Sequence, residues 1–392
     1  MECKKVLLVK YGEISLRKGN RAFYEYQVMD TIRSRLQDID NIRVKREQGR
    51  FLIENSEGDL DVEIVYERIK HIFGITGFCP CLMTNAREMD DLYPLALIFF
   101  KNALSDETTF KVNTKRSDKT FPIQSGQVSA LIGEYILNRT QGLSVDVHNP
   151  EITLMVEIRN KIYFYVNSYP GTGGLPYKSS GKGVLLLSGG LDSPIAGFLS
   201  ARRGIELLPI YFHSPPFVSE RALDKVRDLT KIISSYTGSI DLCIVPFTDV
   251  QLFLRDNVPD VKLTIMLKRA MLRIATEYAK KNKALSVITG DSIGQVASQT
   301  MHSIAAVDSA SDITILRPLA TMDKQQIIDI AREIGTYPIS TRPYDDCCTI
   351  FVAKHPENKP NTNVIEKIEA KLNDELTPLI IKALEECTIL TE

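Results

Sequence analysis

The sequence predicts an α/β protein whose C-terminal half is a doubly wound parallel sheet and whose N-terminal half is made of smaller mixed domains. Three observations carry that reading. From residue 183 onward, apolar strand patterns and helical patterns alternate strictly, as in a parallel sheet covered on both faces. Residues 1–85 follow the order β-α-β-β-α-β, the ferredoxin-like arrangement. Between the two halves, residues 168–182 are rich in glycine, proline and serine and read as a linker.

The first strand, 5–10, is built on Val6-Leu7-Leu8-Val9. A helical period spans 20–36, a hairpin pairs 42–45 with 51–54, a second helix covers 60–69 and a last strand covers 77–83. The N-terminal domain is therefore bounded at 1–59, or at about 85 if that last strand is included. A second domain, 60–167, adds an apolar helix at 92–104, a strand at 109–113, a helix at 127–137, and strands at 144–147, 153–159 and 161–167. The C-terminal domain, 183–392, offers strands at 183–187, 205–212, 240–246, 284–289 and 313–316. Its helices are expected near 194–203, 219–236, 261–281, 294–302 and 323–334, with one or two terminal helices after the charged stretch 354–363.

At 392 residues, with 44% hydrophobic and 25% charged residues, the chain has the composition of a soluble globular protein. The opening apolar run is too short for a signal peptide and no later run approaches a membrane span, so a cytoplasmic protein without a membrane partner is expected. Seven irregularly spaced cysteines argue against a disulfide scaffold. A net charge of −1 gives no global pull toward nucleic acid, and RNA binding would need a local basic face.

The most pointed segment is Val184-Leu185-Leu186-Leu187-Ser188-Gly189-Gly190-Leu191-Asp192-Ser193-Pro194, a buried strand running through a glycine turn into a helix. Ser188, Gly189 and Gly190 let successive backbone N–H groups converge, Ser193 can cap the helix, and Pro194 suits its first turn. Such amides at the positive end of a helix favour a phosphate. The loop lacks the lysine and the spacing of GxxxxGK[ST]. Asp192 is the candidate magnesium anchor, since magnesium takes one or two carboxylates plus phosphate oxygens; as a bare helix-start carboxylate it would only favour the dipole.

In a doubly wound sheet, ligands sit beyond the carboxyl ends of the strands where the strand order switches. Leu186-Leu187 and Tyr211-Phe212 could receive a base there, and Thr289-Gly290-Asp291-Ser292, followed by 294–299, could approach phosphate or ribose. One of Lys262, Lys268, Arg269 and Arg273 could face a triphosphate, against the alternative of a solvated cationic face. Lys111, Lys115, Arg116 and Lys119 surround a single acid, Asp118, and read either as a solvated loop or as an RNA contact. In Tyr344-Asp345-Asp346-Cys347-Cys348-Thr349 the aspartates oppose thiolate formation unless Arg342 or a phosphate-bound metal offsets them, so the residues alone favour two inert cysteines. Cys79 and Cys81 read as strand packing and Cys243 as core.

Five segments, LLLSGGLDSP, YFHSPPF, TGDSIGQVASQT, LRPLATMDK and RPYDDCCTIF, occur in this order, and together they resemble the tRNA 4-thiouridine synthetase (tRNA sulfurtransferase) family over nearly the whole chain. The resemblance implies that 60–167 is a THUMP RNA-binding domain and that 183–392 is an ATP pyrophosphatase (PP-loop) domain. It implies an ATP site made of Leu186, Leu187, Ser188, Gly189, Gly190, Asp192, Ser193, Tyr211, Phe212, Lys268, Gly290 and Gln299, with Lys268 standing where relatives often carry arginine. Asp192 and Cys348 would be catalytic, Cys348 carrying a persulfide, and Lys111, Lys115, Arg116 and Lys119 would contact tRNA. The implied reaction adenylates a tRNA uridine and replaces its C4 oxygen with sulfur, using ATP and Mg2+. No rhodanese segment occurs within these 392 residues, so a separate cysteine desulfurase is the expected donor, and the absence of a CxxC pair argues against an iron-sulfur cluster. A sulfur-carrier protein of thiamine synthesis is a second implied partner, and a homodimer sharing one tRNA fits the separation of RNA grip from active site. Two rival readings are an ammonia-using PP-loop synthetase, for which no glutaminase-like segment is present, and an RNA-binding scaffold with a vestigial ATP site, against which the intact loop speaks.

Overall fold

The computed structural model describes residues 3–17, 19–47, 49–344 and 357–392, and divides at Gly174/Leu175 into two compact units. The N-terminal unit opens with β1 (Cys3–Tyr11), α1 (Arg21–Arg35), β2 (Ile42–Glu47), β3 (Arg50–Asn55), α2 (Val62–Ile69) and β4 (Ile75–Thr84). Val6, Leu7, Leu8 and Val9 are all fully buried, which is why β1 takes an inner position between β3 and β4. The strand order β2-β3-β1-β4 with antiparallel pairing is the ferredoxin-like arrangement the sequence predicts. The chain continues through α3 (Met89–Ala103), β5 (Thr109–Arg116), α4 (Ser125–Leu137), β6 (Ser144–Val145), β7 (Ile152–Ile158) and β8 (Ile162–Tyr165). β8 pairs with β4, so both modules share one sheet, in the order β2-β3-β1-β4-β8-β7-β5-β6.

That sheet is strongly curled. In a flat sheet, four strand spacings would separate β2 from β8 by about 19 Å. Instead the Tyr163 hydroxyl on β8 donates to Glu47 on β2 at 2.7 Å, and Arg50 on β3 meets Glu157 on β7 at 2.6 Å. The concave face holds Cys79, Cys81, Met83 and Tyr165 against Val6, Leu8 and Leu52. Burial alone would push the Glu157 carboxyl up, but the Tyr165 hydroxyl and the Arg50 guanidinium hold it below the ordinary glutamate range.

The segment expected as a linker is laid down on its two flanking units. β9 (Tyr169–Pro170) pairs with β4, and Gly171 and Gly173 donate backbone bonds to Thr76 and Ile75. A Cβ on Gly171 would lie 2.3 Å from the Ile75 carbonyl oxygen, which admits only glycine. Beyond the division, Leu175 donates to the Arg202 carbonyl, and the Tyr177 hydroxyl accepts from Leu207 N at 3.0 Å.

The C-terminal unit contains β10 (Lys182–Leu186), α5 (Asp192–Arg202), β11 (Glu206–His213), α6 (Glu220–Thr237), β12 (Asp241–Pro246), α7 (Thr248–Asn257), α8 (Asp260–Lys281), β13 (Ser286–Ile288), α9 (Met301–Asp308), β14 (Thr314–Leu316), α10 (Lys324–Glu333), α11 (Tyr337–Ser340), α12 (Thr362–Glu385) and β15 (Thr388–Thr391). The strand order is β14-β13-β10-β11-β12-β15, parallel except for β15, which runs antiparallel beside β12. α5, α6 and α10 pack together on one side, and α7, α8, α9 and α12 on the other. Because the chain builds outward from β10 through β11 and β12 and then returns to β13, the order switches between β10 and β13, where a ligand crevice opens at the strand ends.

One sequence expectation changes, and two elements stand beyond those expected. The helix expected at 294–302 is a tight turn at Ala297–Gln299 followed by α9, because Gly294 takes φ +79° and the Thr300 side chain accepts from Ser303 N to start the helix at Met301. α7 and the edge strand β15 were not anticipated. The terminal region, as described, is one long helix and that strand.

Candidate active site

β10 ends at Leu186, and the chain turns through Ser188-Gly189-Gly190-Leu191 into α5. Ser193 does not cap α5: the position before the helix is Leu191, and the Ser193 hydroxyl instead accepts from Ser188 N at 2.9 Å. Gly190 N donates to the Ser188 hydroxyl at 3.2 Å, and Ser340 at the end of α11 donates to the Gly190 carbonyl at 3.3 Å. The loop is thus a closed ring of serine hydroxyls and backbone amides at the positive end of a helix.

A cavity of about 220 Å³ lies at the switch between β10 and β13. Ser188, Gly190, Asp192 and Ser193 line its polar end, and Leu186, Leu187, Tyr211 and Phe212 line its apolar end with Met271 and Leu272 of α8. Lys268, Gly290 and Gln299 complete the wall, so eleven of the twelve residues expected around ATP surround one space; Gly189 lies within the loop itself. Of the four α8 cations considered from the sequence, Lys262, Lys268, Arg269 and Arg273, only Lys268 lines the cavity. Lys262 pairs with Glu357, and Arg269 and Arg273 both meet Glu369 of α12.

Gly290 is required where it stands. A Cβ there would fall 2.7 Å from Ser193 N and 2.8 Å from the Asp192 carbonyl carbon, so only glycine lets the β13 loop press against the start of α5.

Two side chains not named for the site from the sequence, Lys324 beside Asp192 and Arg317 in the cavity wall, join the residues that were. The Asp192 carboxylate accepts from Lys324 Nζ at 3.1 Å and from Gln295 Nε2 at 3.0 Å. Asp291 accepts from Lys268 Nζ at 3.2 Å, Gln299 Nε2 at 3.2 Å and the Thr289 hydroxyl at 2.9 Å, with Arg317 Nε 3.6 Å away. Burial would raise the Asp291 pKa, but Lys268, the Thr289 hydroxyl and Arg317 hold it below the usual carboxylate range. Arg317 in turn grips Asp308, at 3.0 Å through one nitrogen. The signal for Gln295, Lys324 and Arg317 was present, since they belong to TGDSIGQVASQT and LRPLATMDK, but their partners are not local in sequence.

Asp192 stands in the cavity beside the phosphate loop, and one carboxylate with phosphate oxygens is a sufficient magnesium donor set. No group of three or more metal-ligating side chains occurs among the described residues. Cys347 and Cys348 lie outside the described residues.

The predicted RNA contacts divide. Lys111 and Lys115 share one face of β5, and Lys111 donates to the Val147 carbonyl at 2.9 Å. Arg116 points to the other face and braces the following loop through the Phe121 and Ile123 carbonyls at 2.7 and 3.2 Å. Lys119 joins Arg46, Arg159 and Lys161 around a groove of about 540 Å³ in the N-terminal unit. Lys161 also lines a smaller cavity with Lys4 and Arg43.

Residues 178–373 match the family described as "Thiamine biosynthesis protein (ThiI)", residues 6–79 its ferredoxin-like domain, and residues 86–167 the THUMP domain. A "Probable tRNA sulfurtransferase" of Lachnoclostridium phytofermentans is 45% identical over 99% of both chains, and one of Acetivibrio thermocellus is 42% identical over 99% of both. Among solved structures, a 4-thiouridine synthetase in complex with RNA and bound ATP superposes with a TM-score of 0.89 at 35% identity, covering 99% of each chain. A protein of Pyrococcus horikoshii superposes at 0.64 and 23% identity over 84% of this chain and 99% of its own, a likeness of fold. Matched end to end by these relatives, and over residues 178–373 by the ThiI family itself, the chain belongs to the ThiI family, that of the tRNA sulfurtransferases.

Proposed function

We propose that this chain adenylates a tRNA uridine with ATP and exchanges the C4 oxygen of that base for sulfur, giving 4-thiouridine. The observation that carries this reading is the single cavity at the strand switch, polar at the phosphate loop and apolar beside Tyr211 and Phe212, as a nucleotide requires. The uridine C4 oxygen is a poor leaving group. Attack of that oxygen on the α-phosphorus expels pyrophosphate toward the loop amides and turns the oxygen into part of AMP. A persulfide on Cys348 then adds its terminal sulfur to C4 and AMP departs. The thiol of Cys347 then attacks Cys348 Sγ, which frees the thiolated base and leaves a Cys347–Cys348 disulfide that an external dithiol reduces; on the alternative route a reducing thiol first frees the terminal sulfur as sulfide, which attacks C4 itself.

The roles follow from position. Ser188, Gly190 and Ser193 receive the pyrophosphate, Lys268 and Lys324 fix phosphate oxygens, and Leu186, Leu187, Tyr211 and Phe212 hold the base. Magnesium held by Asp192 would neutralise phosphate charge and favour the departure of pyrophosphate. The basic groove of the N-terminal unit, together with Lys111 and Lys115, would take the phosphate backbone of tRNA, whose A-form helix is read by shape. A cysteine desulfurase supplies the sulfur, a homodimer shares the tRNA, and the family's described link to thiamine makes a sulfur-carrier protein a second acceptor. Among the described residues no helix is long and apolar enough to cross a membrane, and a cytoplasmic setting suits these partners.

The test is mass spectrometry of tRNA incubated with the protein, ATP, magnesium and a persulfide donor. A gain of sulfur for oxygen, 16 mass units on one uridine by the ordinary atomic masses, accompanied by AMP formation that requires tRNA, is the expected result. AMP without thiolated base, or neither, refutes the reading.

A further inference from the structure

Next to the basic groove of the N-terminal unit, and sharing Lys161 with it, lies a smaller cavity of about 160 Å³. Strand register assembles it. Lys4 on β1 stands opposite Met83 on β4, and Thr84 on β4 stands opposite Ile162 on β8, which brings the neighbouring Lys161 into the wall. Arg43 on β2 stands opposite Glu54 on β3, yet the Glu54 carboxylate is taken by Lys45, two residues further along β2. Arg43 is therefore left without an acid, and neither it nor Lys161 has a carboxylate partner among the described residues. Asn55 lines the same space. Its Oδ1 accepts from Glu57 N at 2.9 Å, and because a backbone N–H only donates, what Asn55 has left to offer is an NH2 donor.

We propose that this cavity binds the terminal phosphomonoester of an RNA, its 5′-phosphate, as a contact separate from the groove that takes the backbone. The proposal rests on the reading of that groove as the tRNA surface. Charge selects the ligand: Lys4, Arg43 and Lys161 face one acid, Glu54, so the wall carries a surplus of two positive charges. A backbone phosphodiester brings a single negative charge, whereas a phosphomonoester brings about −1.5 to −2 at pH 7 with three strong acceptor oxygens. Shape selects it too. Glu54, Met83 and Thr84 are buried and form the floor, so the cavity receives the end of a strand, while the groove of about 540 Å³ beside it has room for the strand itself. The arginine suits the task, because its planar guanidinium can meet two phosphate oxygens at once. Hydrolytic cleavage of a longer transcript that leaves phosphate on the 5′ side is the class of reaction that supplies such an end, and the chain would favour RNA already cut in this way.

The experiment is filter binding of one internally labelled tRNA transcript to the full chain without ATP, at fixed salt, with its 5′ end either a monophosphate or, after phosphatase treatment, a hydroxyl. The native protein should bind the monophosphate form at least about tenfold more tightly. Arg43→Ala, at an exposed position of the edge strand, should bring that ratio to within about twofold and leave affinity for the hydroxyl form unchanged. Inorganic phosphate in excess, at constant ionic strength, should lower the monophosphate form to the affinity of the hydroxyl form and leave the latter unmoved. Equal binding of the two forms by the native protein overturns the proposal while leaving the groove as the RNA surface. A ratio undiminished by Arg43→Ala also overturns it, whether affinity for both forms falls together, which would assign Arg43 to the backbone, or for neither. Failure of the native protein to bind either form overturns both this proposal and the reading beneath it.

Discussion

Replacing Gly290 by alanine puts the assembly of the site to a direct test. The added Cβ would lie 2.7 Å from Ser193 N, 2.8 Å from the Asp192 carbonyl carbon and 3.0 Å from Ser193 Cα. All three are backbone atoms at the start of α5, so no side chain can swing aside, and restoring ordinary contact requires the β13 loop and α5 to part by roughly 0.5–1 Å. Overpacking of this kind costs about 1–3 kcal/mol. For a unit of about 200 residues that lowers Tm by roughly 2–12 °C. The larger effect falls on ATP, because the parted surfaces are the two walls of one cavity, carrying Ser188 and Asp192 on one side and Asp291 and Gln299 on the other. Misplacing reacting groups by about 1 Å can cost about 100-fold. We expect kcat/KM for ATP in tRNA-dependent pyrophosphate release to fall about 10- to 100-fold, with tRNA affinity measured without ATP unchanged. Gly126→Ala in α4 is the control, since nothing lies within 4 Å of its added Cβ. Pyrophosphate release within twofold of native, with Tm unmoved, would refute the claim that the apposition of β13 and α5 builds the site.

Asp192→Ala should abolish tRNA-dependent AMP formation in a radiolabelled ATP assay, and Lys324→Ala, which strips Asp192 of its 3.1 Å partner, should lower it by at least about tenfold. Peptide mapping after thiol alkylation at pH 8 should find Cys3 labelled and Cys79, Cys81 and Cys243 protected until the protein unfolds, because burial pushes the Cys81 thiol well up and the Cys243 thiol up to about 12. Arg50→Leu should cost the N-terminal unit about 3 kcal/mol in denaturant unfolding, since it removes the nearer guanidinium from a buried glutamate. The folded pKa of Glu157 is depressed, so its contribution is present above the ordinary glutamate value of about 4.3 and is lost as pH falls through the depressed value; Glu157→Gln should therefore flatten the acid limb of the stability curve. Lys119→Ala with Lys161→Ala should weaken tRNA binding and reduce its salt slope by roughly one unit per lost phosphate contact, whereas an unchanged slope would place the RNA elsewhere.

What could be read from the sequence was what is local in it. The run Val6–Val9 announces a strand buried on both faces, and the stretch from Val184 to Pro194 contains its strand, turn and helix start within eleven residues. The nucleotide cavity was legible for the same reason, since each strand end carries its own glycine or aromatic signature. Pairings across long stretches of chain were not legible. Lys324 meets Asp192 across 132 residues, and the segment LRPLATMDK that carries it does not say which side chain it meets. The basic groove escaped notice because its cations stand at 46, 119, 159 and 161 and converge only when the sheet curls. Ser193 was misread as a cap because serine at that position serves either role, and the ring closed by Ser188 decided it. The 294–302 helix was misplaced because Thr300 is a better helix start than Gly294, whose positive φ ends the preceding turn.

The electrostatic plan of the cavity follows from three pairs. Lys324 faces Asp192 at 3.1 Å, Lys268 faces Asp291 at 3.2 Å, and Arg317 faces Asp308 at 3.0 Å, so each cation near the nucleotide is already held by a carboxylate. A half-buried cation without a partner would be costly to maintain in the empty enzyme, and a paired one is not. The pairing also limits what the cations can contribute: a phosphate must compete with a carboxylate for each ammonium, so the gain from charge alone is small. Recognition of the phosphates then falls to groups without competing acids, the loop amides and the helix end, while the paired cations fix where those phosphates lie. This division matches the chemistry required. A site that bound polyphosphate through free cations would retain the pyrophosphate it must release before sulfur can attack, whereas a neutral wall with an oriented amide cradle stabilises the departing charge and lets the product go.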